Sequence, residues 1–489
     1  GEGLGVGPTR TKFQQAHIMA KPIRKSKPTS KTRANVAAAP QVQVANFPDF
    51  FKNTRLQSLL FFGFACLLYA NTLTHGFVQD DAIVITDNMF TSKGVEGIPG
   101  ILNKDTFFGF FKVEGKDALV SGGRYRPLTL VLFAVLYELF GNNPFPFHLL
   151  TVLLFAATCV LLYHTILLLL SGWKAGREQA PLVAWIATLL FAAHPIHTEV
   201  AANIKGCDEI VTLLGSLGAL WLTVRAYDTG KMLWGVLAAL VFFLACLSKE
   251  NAVTFVVVIP LALILFREAT VGKSIRAALP VWGAFLLFFL IRGSILGWKF
   301  GGAPMELMNN PFLKIEGNHW VPFTFAEKLA TNLYTLGKYL VLLVFPHPLT
   351  HDYYPRFIGM KTFGNPLVLL SLAAYVGMFW YAVNGLKRRD PVSFGILFFL
   401  LTISIVSNIV FPVGTNMGER FVFMPSVGFC LVAALLLVRW FNWKTVLGIV
   451  GLAAFLFSVK TVLRNTVWVS NTSLFFTDVH TTINSAKIN

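Results

Sequence analysis

Leu59-Leu-Phe-Phe-Gly-Phe-Ala-Cys-Leu-Leu-Tyr-Ala-Asn-Thr-Leu73 leads, after three residues, into Phe77-Val-Gln-Asp-Asp-Ala-Ile-Val-Ile-Thr-Asp-Asn88. The first stretch belongs to an apolar run, Leu56 to Thr72, of a length that crosses a bilayer. The second sets two adjacent carboxylates, Asp80 and Asp81, at the surface where the chain emerges. Charge there is costly unless it is solvated or has a role. The plain alternative is that the pair caps a loop helix near the headgroups, as Asp often does.

Working outward, apolar runs of spanning length recur from residue 56 to residue 464, in a chain that is 55% hydrophobic and 13% charged. A soluble core cannot hide so many apolar helices, so the expected fold is an all-α polytopic membrane protein. The net charge is +17, and residues 1–55 carry ten Lys/Arg against two Asp/Glu. That segment lacks apolar period and reads as a basic, disordered cytoplasmic tail. Because topology accounts for its charge, nucleic-acid binding is not inferred. Met19 reads as a native start, which would leave residues 1–18 upstream of it. No cleavable signal is evident, and the first span reads as a retained anchor. The five cysteines form no CxxC, which argues against zinc or redox chemistry.

The expected spans are 56–72, 145–170, 181–193, 210–224, 232–247, 252–266, 277–296, 366–383, 392–410, 421–438 and 446–462, about eleven in all. Two further apolar pieces, 126–140 and 329–345, are assigned instead as re-entrant or interfacial helices in two long outer loops, 73–144 and 298–364. With that choice the five short loops on the inner side hold twelve Lys/Arg and four Asp/Glu, as the positive-inside rule requires. Counting either piece alone as a span would invert the later loops.

The unusual polar motifs then fall on the outer side. They are Asp80-Asp81; Arg124 and Arg126; His194-Pro-Ile-His197-Thr-Glu199, followed by Lys205, Asp208 and Glu209; Lys249-Glu250; Arg292; His351-Asp352 beside Tyr353-Tyr354; and Glu419-Arg420. Such convergence suggests a site at that surface. Pro195 separates the two histidines, so they do not form the helical zinc pair, and shaping of helix ends is their expected role. Lys249-Glu250 also fits an exposed turn, Glu419-Arg420 a snorkelling interfacial pair, and Tyr353-Tyr354 an aromatic anchor. Alternatively, Arg420 suits a phosphate.

These motifs carry a resemblance. The Asp-Asp after the first span, Arg126-Pro-Leu-Thr with Asn143-Pro-Phe-Pro-Phe-His148, His194-Pro-Ile-His-Thr-Glu199 with Gly206-Cys-Asp-Glu209, Leu247-Ser-Lys-Glu-Asn251, the 340–354 region and Gly418-Glu-Arg-Phe-Val-Phe-Met-Pro-Ser-Val-Gly428 occur in an order that resembles the transmembrane and tetratricopeptide-repeat (TMTC) family and related bacterial membrane glycosyltransferases of the GT-C class. The resemblance spans about residues 56–489. It implies a GT-C bundle whose first outer loop carries the catalytic acid, here Asp80 or Asp81. It also implies inverting transfer of a mannose-like sugar from a polyprenyl-phosphate donor to Ser or Thr of exported proteins. Arg126, Lys249, Arg292 and Arg420 are the candidate phosphate-binding residues. His194, His197, Glu199, Asp208, Glu250, His351, Asp352 and Glu419 would shape the site.

On this reading no cofactor is required, and a divalent metal is allowed but not favoured. Rival readings are a GT-C enzyme acting on a lipid or glycan, and a non-enzymatic transporter or flippase for a lipid-linked sugar. A bacterial plasma membrane is favoured, with the active face periplasmic; the endoplasmic reticulum, with a lumenal face, is the alternative. The family pattern Gly-Arg-Ala-Asp is here Gly206-Cys-Asp-Glu, so a cation is missing that Lys205 replaces only in part. The catalytic domain is placed at 56–464. Residues 465–489 look like the opening of a tetratricopeptide repeat that is cut off, and downstream repeats, where present, would bind acceptors or partners.

Overall fold

The computed structural model describes residues 47–113, 123–298, 310–353 and 357–482. The expected basic tail therefore lies outside the described residues as far as residue 46. Its final residues do not: the chain is folded from Phe47 onward. Phe47 and Phe51 are buried, and the Phe51 ring meets Trp185 edge-on at 5.2 Å. Gln57 donates to the Phe50 carbonyl at 2.7 Å. The apolar Phe47-Pro-Asp-Phe-Phe51 packs into the bundle, which moves the start of the folded body ahead of residue 56.

Helices dominate. In chain order they are α1 (Thr54–Leu68), α2 (Ile98–Asn103), α3 (Phe108–Phe111), α4 (Pro127–Phe140), α5 (Pro144–Leu170), α6 (Ala180–Ala193), α7 (Thr198–Ala201), α8 (Cys207–Thr229), α9 (Met232–Ser248), α10 (Phe255–Phe266) and α11 (Val271–Leu296). After a hairpin of β1 (Leu313–Glu316) and β2 (His319–Pro322), paired antiparallel, come α12 (Phe325–Val344), α13 (Pro366–Leu386), α14 (Pro391–Ser404), α15 (Ser426–Trp440), α16 (Trp443–Asn465) and α17 (Asn471–Asp478). Among the described residues five helical stretches are long and apolar enough to cross a bilayer, and a sixth is a pair bent by 52° between Ala193 and Pro195. Six shorter apolar helices accompany them. The chain is an all-α multi-pass membrane protein.

Two elements depart from the expected spans. The run 392–410 is α-helical only to Ser404, and the run 421–438 only from Ser426, after a 3-10 turn at Glu419–Val422. Between them Asn408 takes a left-handed conformation (φ +58°), which Asn tolerates because its short amide can bond locally. Its side chain accepts the Val413 N–H at 2.8 Å and donates to the Thr415 carbonyl at 2.7 Å, closing the 408–415 loop. Pro412 and Pro425 add breaks. Non-helical backbone at membrane depth is tolerable where it lines a cavity, and this segment does.

Between lipid-facing helices there is no hydrophobic drive, so close approach and dispersion must hold the bundle. At the α14–α15 crossing, a Cβ on Gly428 would collide with the Gly395 carbonyl. α4 touches both α9 and the first loop: the Thr129 hydroxyl meets that of Ser248, the last residue of α9, at 2.9 Å, and Glu138 near its far end accepts the Val95 N–H at 3.2 Å. α12 is not among the spanning candidates. Of the segment read as a repeat opening, α17 is one eight-residue helix, and residues 483–489 lie outside the described residues.

Candidate active site

A cavity of about 510 Å³ opens at one end of the bundle, within the range of small-molecule sites. The turn after α1 contributes Asp80. Arg126 precedes α4, Lys205 and Asp208 stand at the start of α8, Lys249 and Glu250 lie between α9 and α10, Arg292 is near the end of α11, and Arg420 sits ahead of α15. With Arg124, six cationic side chains and three carboxylates (Asp80, Asp208, Glu250) line the cavity. The excess of three positive charges suits an anionic ligand. Phe107, Phe133, Phe285, Phe288, Phe289 and Phe411 supply apolar walls.

Helix ends position most of these groups. Gly206 lets the chain turn into α8 beneath α7, because a Cβ there would strike the Val200 carbonyl. Arg126 forks onto Glu250, Nε to Oε2 at 2.9 Å and Nη2 to Oε1 at 2.7 Å, and reaches Asp208 Oδ2 at 3.1 Å. Arg124 Nη1 meets Glu250 Oε1 at 2.9 Å, and Lys205 Nζ meets Asp208 Oδ2 at 3.1 Å. Lys249 pairs with Glu209; both are buried, which only pairing makes tolerable. Arg420 bridges two acids, Asp80 at 3.3 Å and Glu199 at 3.4 Å.

The two adjacent aspartates part company. Asp80 lines the cavity with its side chain 28% exposed. Asp81 is buried and accepts the backbone N–H groups of Val78 and Lys205, each at 2.8 Å. Burial pushes its carboxyl up to about 7, with Asp80 adding to the rise while the two amides and Lys205 oppose it.

The remaining predicted residues stand away from the cavity wall. His194 bonds the Leu343 carbonyl at 2.9 Å and accepts the Ile196 N–H, bracing the bend. His197 meets Ser426 at 2.9 Å. Glu199 also accepts the Arg420 backbone N–H at 2.8 Å. Glu419 is buried and accepts the Thr350 N–H at 2.6 Å and the Tyr353 hydroxyl at 2.8 Å; burial pushes it up to about 8. Tyr353 is thus held in the core, not placed as an exposed anchor, and Tyr354 lies outside the described residues. His351 bonds Asp478 at 2.7 Å, which is also gripped by Arg464, and Asp352 is buried beside them. Among the described residues no three His, Cys, Asp or Glu side chains converge as a metal site.

Sequence reasoning did not single out the phenylalanines of α11 or the 411–415 loop as part of the site. Phe285, Phe288 and Phe289 have the spacing of any helix face, and nothing local distinguishes a cavity wall from a lipid contact.

Fold and site together define a multi-pass α-helical membrane protein with a basic, partly apolar cavity at one end of its bundle. Residues 126–298 match the family described as dolichyl-phosphate-mannose-protein mannosyltransferase. The chain is 28% identical over 468 residues to human protein O-mannosyl-transferase TMTC1, covering 87% of this chain and 51% of that protein. It is 27% identical to protein O-mannosyl-transferase F38B6.6 of Caenorhabditis elegans (88% and 58% covered) and 27% identical to mouse protein O-mannosyl-transferase TMTC4 (84% and 60% covered). The chain spans about half the length of the curated relatives it matches, and over most of its own length it is TMTC-like.

Proposed function

We propose that this chain is a GT-C-type glycosyltransferase that moves mannose from a polyprenyl-phosphate carrier to a Ser or Thr hydroxyl of a protein, with Asp80 as general base. The observation that carries the reading is the Asp80–Arg420 pair, 3.3 Å apart on the wall of a basic cavity with apolar sides. A lipid-linked sugar phosphate needs all three features. Cations meet the phosphate, phenylalanines meet the first isoprene units, and a carboxylate meets the incoming hydroxyl.

In the step proposed, the acceptor oxygen attacks C1 of the sugar from the face opposite the phosphate. The C1–O(phosphate) bond breaks and its electron pair leaves on the phosphate oxygen. The hydroxyl proton passes to the Asp80 carboxylate, and the anomeric centre inverts. Arg420, Lys249 and Arg292 face the leaving charge, where positioned cations lower the barrier. A phosphate drawn to Arg420 competes with Asp80 for that guanidinium and loosens its hold on the carboxylate. The scheme draws on no cofactor, so a chelator is expected to leave the rate unchanged. The active face is non-cytoplasmic, whether periplasmic or lumenal.

The test uses the full chain in sealed proteoliposomes with labelled polyprenyl-phosphate mannose and a Ser/Thr peptide. Label should appear on the peptide, and Asp80→Asn should slow its appearance by about 100-fold or more. Label on lipid or glycan would favour the other acceptor class. Movement of donor across the bilayer without transfer would favour a flippase.

A further inference from the structure

Asp208 is 3% exposed and lies on the cavity wall. Its backbone is fixed: its carbonyl accepts the Ser248 hydroxyl at 3.1 Å and the Thr212 hydroxyl at 2.6 Å. Its Oδ2 atom takes both available cations, Arg126 at 3.1 Å and Lys205 at 3.1 Å. Its Oδ1 atom is buried and has no donor among the described residues. Several described residues carry such an atom, and Asp208 is the one of them that lines the cavity; leaving a buried acceptor of a charged group unmade costs about 1–3 kcal/mol or more.

We infer that Asp208 Oδ1 is a sugar-hydroxyl acceptor and so a specificity-determining contact of the donor site. The inference rests on the transferase reading and adds the partition of the cavity. The link between lipid and sugar is a phosphodiester, which carries no proton to donate and is repelled by a carboxylate. Of the groups of the donor, only the sugar hydroxyls can satisfy Oδ1. Lys205 beside it, itself pinned through its backbone N–H to Asp81 at 2.8 Å, stands as a donor to the same or the neighbouring hydroxyl. The sugar ring therefore lies toward the start of α8, and the phosphate toward Arg420, Lys249 and Arg292.

The experiment measures equilibrium binding of labelled polyprenyl-phosphate mannose to the full chain, against analogues lacking one hydroxyl each, so that no turnover is needed. For wild type, one deoxy analogue is expected to bind about 10- to 100-fold more weakly, the loss of a hydrogen bond to a charged acceptor. In Asp208→Ala that ratio should fall to near one, because the parent weakens and the analogue does not. Asp208→Asn, isosteric but uncharged, should reduce the ratio at the same hydroxyl and serves if the Ala variant does not fold. Deoxy ratios that are the same in wild type and variant at every position overturn the assignment. So does a wild type indifferent to every missing hydroxyl. A wild type that binds no polyprenyl-phosphate mannose at all defeats the transferase reading instead.

Discussion

Asp81 offers one carboxylate oxygen to each of two backbone amides, Val78 on its own turn and Lys205 across the site. Asn in its place keeps one acceptor and turns an NH₂ toward the other amide. Asp81→Asn is therefore expected to cost about 1–3 kcal/mol, read as a lowered thermal midpoint. Asp80→Asn, on the cavity wall, should melt close to wild type while transfer fails. The pairing of outcomes separates a brace from a base. Glu419 gives a pH signature. Burial holds its carboxyl at about 8 against an ordinary 4.5, so the fold favours the neutral acid. Its contribution to stability is full below about 4.5 and is lost as pH rises through about 8. Thermal midpoints of wild type should fall between pH 5 and pH 9 more steeply than those of Glu419→Gln, whose amide mimics the neutral acid. Parallel curves would refute the buried-acid account.

At the scale of elements, α17 is tied to the neighbours in sequence of both partners of the Asp80–Arg420 pair. Asn471 at its start accepts the Gln79 N–H at 2.8 Å, and Gln79 is itself held at φ +56°, a conformation that side chains resist. Asp478 at its end binds Arg464 and the Thr350 hydroxyl, and the Thr350 N–H reaches Glu419, next to Arg420. Asn471→Ala releases the turn before Asp80, and transfer should slow by about 3- to 10-fold, the worth of one ordinary hydrogen bond. Donor KM should be little changed, and Asn471→Asp, which keeps an acceptor oxygen, should restore the rate. A rate unchanged by Asn471→Ala would leave α17 as packing alone. This linkage also marks the limit of sequence reading. Asp80, Arg126, Lys249 and Arg420 were legible because ionisable groups between apolar runs are conspicuous. The contrast between Asp80 on the cavity wall and buried Asp81 was not, because Asp81 is held by the Lys205 amide far along the chain. Nor was the unwinding of 405–425, whose apolar composition matches a span while Asn408, Pro412 and Pro425 redirect its backbone.

For the whole molecule, sidedness follows from how the helices alternate. α8 leaves the cavity end at Asp208 and finishes at Asp228–Thr229; α9 returns to Lys249; α10 departs to Arg267; α11 returns to Arg292. The far end is where the basic loops meet. Arg267 pairs with Asp228 at 2.7 Å, and Glu268 receives both Lys174 and Arg389 at 3.0 Å, drawing together the loops after α5, α8, α10 and α13. The Glu268 pairs, being exposed, add little stability, but together these contacts place Lys and Arg on one face, which the positive-inside rule predicts to be cytoplasmic. The cavity is then expected to open on the opposite face. A cysteine at exposed Lys387, in a background without the five native cysteines, should react with an impermeant maleimide from the cytoplasmic side, and one at exposed Glu96 only from the other. Labelling of both from one side would mean that an odd number of the assigned crossings is wrong. The first candidates would then be α4 and α12, because making either one a span reverses every loop after it.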